Sequence, residues 1–140
     1  MPMTQLMRDL LGQLIIGAAT SQVFNNSLAQ VHVGDSTMTF DPTKNAMGSS
    51  GANFAQSSMD ASFPDISTSS GGPPAMRFRA TFDTSKGNFN WKEWGVKNTS
   101  GSGTATSSGI LMNRSVTDLG TKTGAQTWQF TGVITPATST

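Results

Sequence analysis

Apolar and polar residues alternate in a series of short segments after residue 28, and this pattern limits the fold more than any other feature. The segments are "LAQVHVGD" at 28–35, "AMRFRATFD" at 75–83, "NFNWKEWGV" at 88–96, "ILMNRSV" at 110–116 and "TWQFTGVIT" at 127–135. Successive side chains of a strand point to opposite faces, so a period of two predicts strands. Gly-rich turns separate these segments, and no second helix is indicated. The sequence therefore predicts a mainly β protein, an antiparallel β-sandwich or jelly roll.

The first twenty residues follow a different period and predict an amphipathic N-terminal helix or arm over 1–20. Apolar residues recur there at the i, i+3, i+4, i+7 spacing of one helix face. The resulting stripe contains Met3, Leu6, Met7, Leu10, Leu11, Leu14, Ile15 and Ala18. A lone helix of this length is marginal in water, so the stripe must dock on another surface. That surface is either the protein's own sheet or a neighbouring subunit.

Residues 21–140 are predicted to form a single β-sandwich domain with a short strand at 37–40 and a long loop at 43–74. The loop is rich in Ser, Gly, Ala, Asn and Pro, and irregular stretches of this length are often functional. Its isolated apolar residues are expected to anchor it to a surface, and they are Met47, Phe54, Met59, Phe63 and Ile66. We predict that the helix stripe and this loop bind a partner through Met3, Leu6, Met7, Leu10, Leu11, Leu14, Phe54, Met59 and Phe63.

The composition favours contacts between neutral surfaces. Charged residues make up 12% of the chain, and the net charge is +1. That charge provides no field that would attract nucleic acid or an anionic membrane, and the apolar segment 10–19 is too short to span a bilayer. The chain has 18 Ser, 19 Thr and 15 Gly, which give a surface that is easily desolvated. Cysteine is absent, which fits assembly in a reducing cytoplasm.

The sequence does not predict an enzyme or a cofactor. "VHVGDS" at 31–36 resembles the nucleophile block of the GDSL hydrolases, but those enzymes need a histidine near the C-terminus as base. The only histidine here is His32, which precedes Ser36 in the same segment. With one His, no Cys and no cluster of carboxylates, no metal site is predicted either.

Glu93 is the only glutamate, and it lies between Trp91 and Trp94. Strict alternation puts Trp91 and Glu93 on one face of a strand and Trp94 on the other, so the strand is covered on both sides. A carboxylate buried there must be paired. Arg114, Arg77, Arg79 and Lys122 are possible partners. Arg114 is favoured because its segment is the next strand, so we interpret Glu93 and Arg114 as structural.

The tryptophans Trp91, Trp94 and Trp128 are interpreted as mainly core residues. Sandwich proteins also bind sugars through exposed tryptophans, so a glycan-binding module remains an alternative. The alternation in segment 88–96 argues against it, because at least one of Trp91 and Trp94 should be buried.

Several segments together resemble small virion proteins of tailed bacteriophages. They are a strand that ends in "HVGDS", a "DPTKNAM" turn, "RFRATFDTSKGNFNWKEWGV", "GILMNRSV" and "LGTKTGAQTWQFTGVIT". Within these, an F-x-W-x-E-x-G strand, a hydrophobic-Asn-Arg strand and a closing Lys-Thr then Trp strand are similar to that family. The resemblance covers about residues 24–135. It looks most like the capsid cement, or decoration, proteins of the type found in Bordetella phages.

The resemblance implies a structural protein of the virion, located on the capsid surface after assembly in the host cytoplasm. Its partner would be the major capsid protein of the same virion, whose subunits it would link, and it would act as a homodimer or other homo-oligomer. A tail, neck, collar or fibre-base protein is the alternative within the same class. A glycan-binding virion module is the third possibility.

Overall fold

The computed structural model describes residues 3–16, 24–48, 53–67, 74–98 and 109–135. These residues form one helix and seven strands. In chain order they are α1 (Gln5–Ile15), β1 (Ala29–Gly34), β2 (Phe54–Ser58), β3 (Asp65–Ser67), β4 (Ala75–Phe82), β5 (Asn90–Asn98), β6 (Leu111–Thr121) and β7 (Trp128–Ile134).

The strands form two antiparallel sheets packed as a sandwich. Sheet A has the order β2-β1-β5-β6, and sheet B has the order β3-β4-β7. The predicted mainly β sandwich with an N-terminal helix is confirmed. The described residues contain seven strands, and the chain neighbours β1 and β2, β3 and β4, and β5 and β6 pair within a sheet.

Three predictions about individual segments are wrong. Residues 37–40 do not form a strand, and the predicted loop at 43–74 contains β2 and β3. Strand β6 also continues to Thr121, past the predicted segment 110–116 and into the Gly-rich turn predicted between it and segment 127–135. Strands β2 and β3 are five and three residues long and carry little apolar periodicity. Pairing with β1 and β4, rather than intrinsic preference, therefore makes them strands.

The core lies between the sheets and follows the alternation of the longer strands. Phe78, Ala80 and Phe82 of β4 are buried, as are Val31 and Val33 of β1. Intervening residues of β4 face the other way, and burial alternates along the strand. Burying a side chain such as Phe or Val contributes about 1.5–3 kcal/mol, so this face supplies most of the reason why β4 is a strand.

Both tryptophans of β5 lie in this core. Trp91 and Trp94 contact the ring of Phe130 on β7, at centroid distances of 6.2 and 5.0 Å. The prediction that the two lie on opposite faces is therefore wrong. The pairing of β5 with β6 is irregular between Trp91 and Glu93, and such a bulge changes the direction of the side chains around it. The half-buried Trp128 packs edge-on against Trp91 at 5.0 Å.

Helix α1 docks on its own sandwich. Thr4 caps the helix by accepting a hydrogen bond from Met7 N at 3.2 Å, and Thr4 N donates to Met112 O of β6 at 3.1 Å. Met7 is buried in the core cluster, and Met3 and Leu11 pack against it. The sequence left two docking surfaces possible for the helix, the protein's own sheet and a neighbouring subunit. Met3, Met7 and Leu11 dock on the protein's own core. The side chains of Leu6, Leu10, Leu14 and Ile15, and residue Ala18, lie outside what the structure describes.

Candidate functional site

Residues 36–48, which we call the covering segment, cross the outer face of sheet A without forming a strand. The backbone of an irregular segment has no ladder partners, so its polar groups need other hydrogen bonds. Three charged side chains of sheet A supply them. The contacts are Arg114 Nη1 to Met38 O at 2.8 Å, Lys97 Nζ to Asn45 O at 3.0 Å, and Gly48 N to Glu93 Oε2 at 2.9 Å.

Glu93 and Arg114 form a buried ion pair beneath this segment. Arg114 Nε donates to Glu93 Oε2, and the two side chains are 0% and 5% exposed. The pairing predicted from the sequence is therefore confirmed. Gly95 lies opposite Arg114, and a Cβ there would come within 2.4 Å of Asn113 O. Glycine is thus needed at that position because the neighbouring strand approaches too closely for a side chain.

The side chain of Asn45 fixes the far end of the covering segment. Its Oδ1 accepts from Leu111 N at 2.6 Å, and its Nδ2 donates to Gly109 O. The pKa of Lys97, which bonds to the Asn45 carbonyl, is lowered by burial. The segment is thus tied to β5 and β6 at several points rather than lying loosely on the surface.

A cavity of about 500 Å³ opens beside the ion pair. Apolar side chains form much of its wall, among them Met38, Phe40, Met47 and Leu111. Arg114 also lines it, and its buried Nη2 has no hydrogen-bond partner among the described residues. The cavity therefore has the chemistry to hold an apolar group that carries an oxygen acceptor, since such a group would satisfy this nitrogen.

His32 is buried on the same face and packs edge-on against Phe54 at 5.2 Å. Burial, followed by the positive charge of Lys97, lowers the pKa of His32 to about 4. The imidazole is therefore neutral at neutral pH. Ser36 Oγ accepts a hydrogen bond from Met38 N at 3.2 Å, as in a turn within the covering segment. Within "VHVGDS", His32 therefore packs against Phe54, and Ser36 forms this turn.

No known protein family, characterised protein or solved structure matches this chain. The residues that the structure describes contain no group of three or more metal-binding side chains. Among those same residues, no helix has the length and apolar character needed to cross a bilayer.

The outer face of sheet B carries a second set of charged residues, and we call this surface the paired face. Its residues are Asp60, Phe63, Asp65, Arg77, Arg79, Thr81, Gln129, Thr131 and Val133. Arg77 donates two hydrogen bonds to Asp65 and keeps the pKa of this carboxyl below its usual value. Asp60 Oδ2 accepts from three donors at 3.1 Å, and they are Arg79 Nε, Thr81 Oγ1 and Gln129 Nε2. Two arginines and two aspartates thus neutralise each other on an open face.

Phe63 joins the two ion pairs of the paired face. The guanidinium of Arg79 lies 4.1 Å from the centre of its ring, and that of Arg77 lies 5.7 Å away. Such cation–π contacts hold arginine side chains in one conformation. A surface with fixed side chains loses less entropy when a partner covers it, which favours binding.

The residues predicted to bind a partner are distributed over several places. Met7 and Met59 are buried in the core cluster, and the half-buried Met3 and Leu11 pack against it. Partner binding at these four residues stays a prediction. Phe54 and Phe63 are half-buried, on the outer faces of sheets A and B respectively. Met47 is buried, as expected of an anchor, whereas Ile66 is 65% exposed.

Sequence reasoning missed both outer faces as organised sites. The sequence indicated Arg77 and Arg79 only as possible partners of Glu93, although they alternate with the buried residues of β4. That alternation was the available signal, since it places both arginines on one exposed face. Nothing in segment 36–48 showed that it would cover sheet A, because its tie points lie 45 to 76 residues away in the sequence.

Proposed function

We propose that the chain is a structural virion protein that binds the outside of a bacteriophage capsid and links major capsid protein subunits. The paired face is the observation that carries this proposal. Its two ion pairs are satisfied within the chain, so a partner can cover them without leaving an unpaired charge. The neutral, hydroxyl-rich composition and the resemblance to cement proteins support the same reading.

The proposed action is mechanical rather than chemical. Each copy makes modest contacts with the shell, and the symmetry of the capsid repeats them many times. A homodimer would bind at two points, which raises its effective affinity without any new contact. Three titratable groups, Glu93, Arg114 and His32, are buried within the fold, which fits this role.

The structure favours this proposal over the glycan-binding alternative. Sugar binding by a sandwich needs exposed aromatic rings, and Trp91 and Trp94 are 1% and 6% exposed. Of the three tryptophans, only Trp128 is half-buried, beside a groove at the edge of the sandwich. A tail or neck protein would use the same neutral contacts, so the site of attachment separates it from a capsid protein.

Reconstitution on capsids that lack the protein tests the proposal. We expect the purified chain to co-sediment with these capsids and to raise the temperature at which they release DNA. Arg77→Glu would leave Asp65 without its cation and add a second carboxylate to the paired face, so it should weaken co-sedimentation. Lys86→Glu is the matched control, because it makes the same change of charge at an exposed residue of the turn after β4.

Two outcomes would overturn the proposal. One is a chain that does not attach to capsids and leaves their stability unchanged. The other is attachment to isolated tails or necks only, which would favour the alternative. Circular dichroism of both variants checks that a loss of binding is not a loss of folding.

A further inference from the structure

The four edge strands of the sandwich are protected to different degrees. Sheet A ends at β2 and β6, and sheet B ends at β3 and β7. An unpaired edge presents backbone N–H and C=O groups to any other strand, so proteins cover, shorten or charge their edges. An edge that lacks these devices is therefore a candidate site for pairing with another strand.

The side of the sandwich formed by β2 and β3 is closed by the chain itself. Beyond β2 the chain crosses to sheet B, where Met59 bridges to Ala80 and Asp60 N donates to Arg79 O at 2.8 Å. Ser57 Oγ also donates to Thr81 O at 2.6 Å. The remaining edge, β3, is only three residues long.

The other side is formed by β6 and β7, and β6 is protected. Met3 bridges to Asn113 and Thr4 N donates to Met112 O, so the two residues directly before α1 cover the first part of β6. The exposed second part carries Asp118, a charge of the kind that discourages pairing. Its pairing with β5 is also irregular, which bends the strand.

Within the part of the chain that the structure describes, strand β7 has none of these devices. Its sequence, WQFTGVI, contains no charge and no proline, and it pairs with β4 over all seven residues without a bulge. Its second edge has no strand partner among the described residues. Trp128 and Phe130 remain half-buried at this edge, although both face the core. A partner strand beside β7 would therefore satisfy backbone groups and cover aromatic surface together.

We propose that β7 of a second copy of this chain occupies the edge, antiparallel and centred on Thr131. Full overlap of the two seven-residue strands puts Thr131 opposite its own copy and Phe130 opposite Gly132 of the second copy. The same combination of large and small residues exists within sheet B, where Phe78 lies opposite Gly132 and Ala80 lies opposite Phe130. The two three-stranded sheets then become one six-stranded sheet.

Charge and side-chain pairing favour a second copy over a different protein. Two uncharged strands bring no like charges together, and Thr–Thr is a favourable cross-strand pair. A two-fold axis makes the contact self-complementary and closes it at a dimer, so the edge cannot extend into fibres. The dimer does not depend on the proposed capsid role, but it would place two paired faces side by side and make binding bivalent.

Analytical ultracentrifugation of the purified chain, without capsids, tests the proposal. We expect a concentration-dependent dimer that Thr131→Lys weakens by about tenfold or more, because the two lysines meet at the axis. Ser58→Lys is the control, since it adds the same charge to an exposed position of β2 and should leave the dimer intact. A wild-type chain that stays monomeric, or a dimer that Thr131→Lys leaves unchanged, would overturn the proposal.

Single spin labels determine the register independently of that variant, and the absence of native cysteine makes them simple to introduce. We expect the dipolar broadening of the electron paramagnetic resonance spectrum to be strongest for the label at Thr131→Cys. Labels at Gln129→Cys and Val133→Cys should both give a weaker broadening of similar size. Opposite residues lie about 5 Å apart, and positions two residues from the axis lie about 14 Å from their own copies. Broadening at Ser58→Cys with none at Thr131→Cys would place the interface elsewhere and refute β7 pairing.

Discussion

The outer faces of the two sheets carry the same kind of ion pair in opposite surroundings. Glu93 and Arg114 lie under the covering segment with exposures of 0% and 5%, whereas Arg77 and Asp65 remain 40% and 33% exposed on the paired face. Water screens an exposed pair, so it contributes little to stability. A buried carboxylate that loses its partner has no such compensation. The covered face of sheet A therefore stabilises the fold, and the paired face of sheet B remains available to a partner.

The largest expected effect comes from breaking the covered pair. Arg114→Met leaves the Glu93 carboxylate buried without its cation, and removing one partner of a buried pair costs about 3–5 kcal/mol. It also removes the bond from Arg114 Nη1 to the carbonyl of Met38. We expect this loss in the free energy of unfolding measured by urea denaturation.

A double variant is the control for this prediction. Adding Glu93→Gln to Arg114→Met removes the unpaired charge, and much of the lost stability should return. If Arg114→Met unfolds with the wild-type midpoint, the ion pair does not hold the covering segment and the comparison between the faces fails.

An intermediate effect is expected from the protonation of His32 on the covered face. Burial lowers its pKa to about 4, from 6.5 in the unfolded chain. The unfolded state therefore binds more protons between these values, so stability is complete above pH 6.5 and falls as the pH drops towards 4. The shift corresponds to at most about 3 kcal/mol.

Urea denaturation at a series of pH values checks this expectation. His32→Leu should give a stability that is nearly constant across the same window, because Leu does not titrate. The aspartates whose pKa is lowered, such as Asp65, lose their contribution only below their unfolded value of 3.8, outside this window. An unchanged slope in His32→Leu would show that another group is responsible.

The smallest effect is expected from the exposed pair. Asp65→Asn removes the partner of Arg77, yet the midpoint of unfolding should stay close to that of the wild type, because both groups reach solvent. Capsid binding should weaken instead, since the paired face then carries an unpaired positive charge. A large loss of stability would mean that this face also has a structural role.

The periodicity of the sequence predicted the long strands well. The alternation in β4 and β7 was visible because each side chain's direction follows from its own position in the strand. The inward direction of Trp91 was not predictable in this way. It depends on an irregularity in the pairing with β6, which local sequence does not encode.

The candidate sites were less predictable than the fold. Glu93 and Arg114 were paired correctly because a buried carboxylate requires a cation and β6 was the next strand. The covering segment was predicted in part as a strand, at residues 37–40, because its tie points to Lys97 and Arg114 are distant in the sequence. Met7 and Met59, which the sequence predicted to bind a partner, are buried in the core, because their apolar side chains gain more from burial than from solvent exposure.

The sequence by itself determined the sandwich, its N-terminal helix and the neutral character of its surface, since all three follow from local period and composition. Only the tertiary structure decided which charges are buried, which segment covers sheet A and which strand edge remains open. Those outcomes depend on contacts between distant residues. Burial and the local dielectric constant determine how strongly two charges interact, and both are defined only once the sheets have packed.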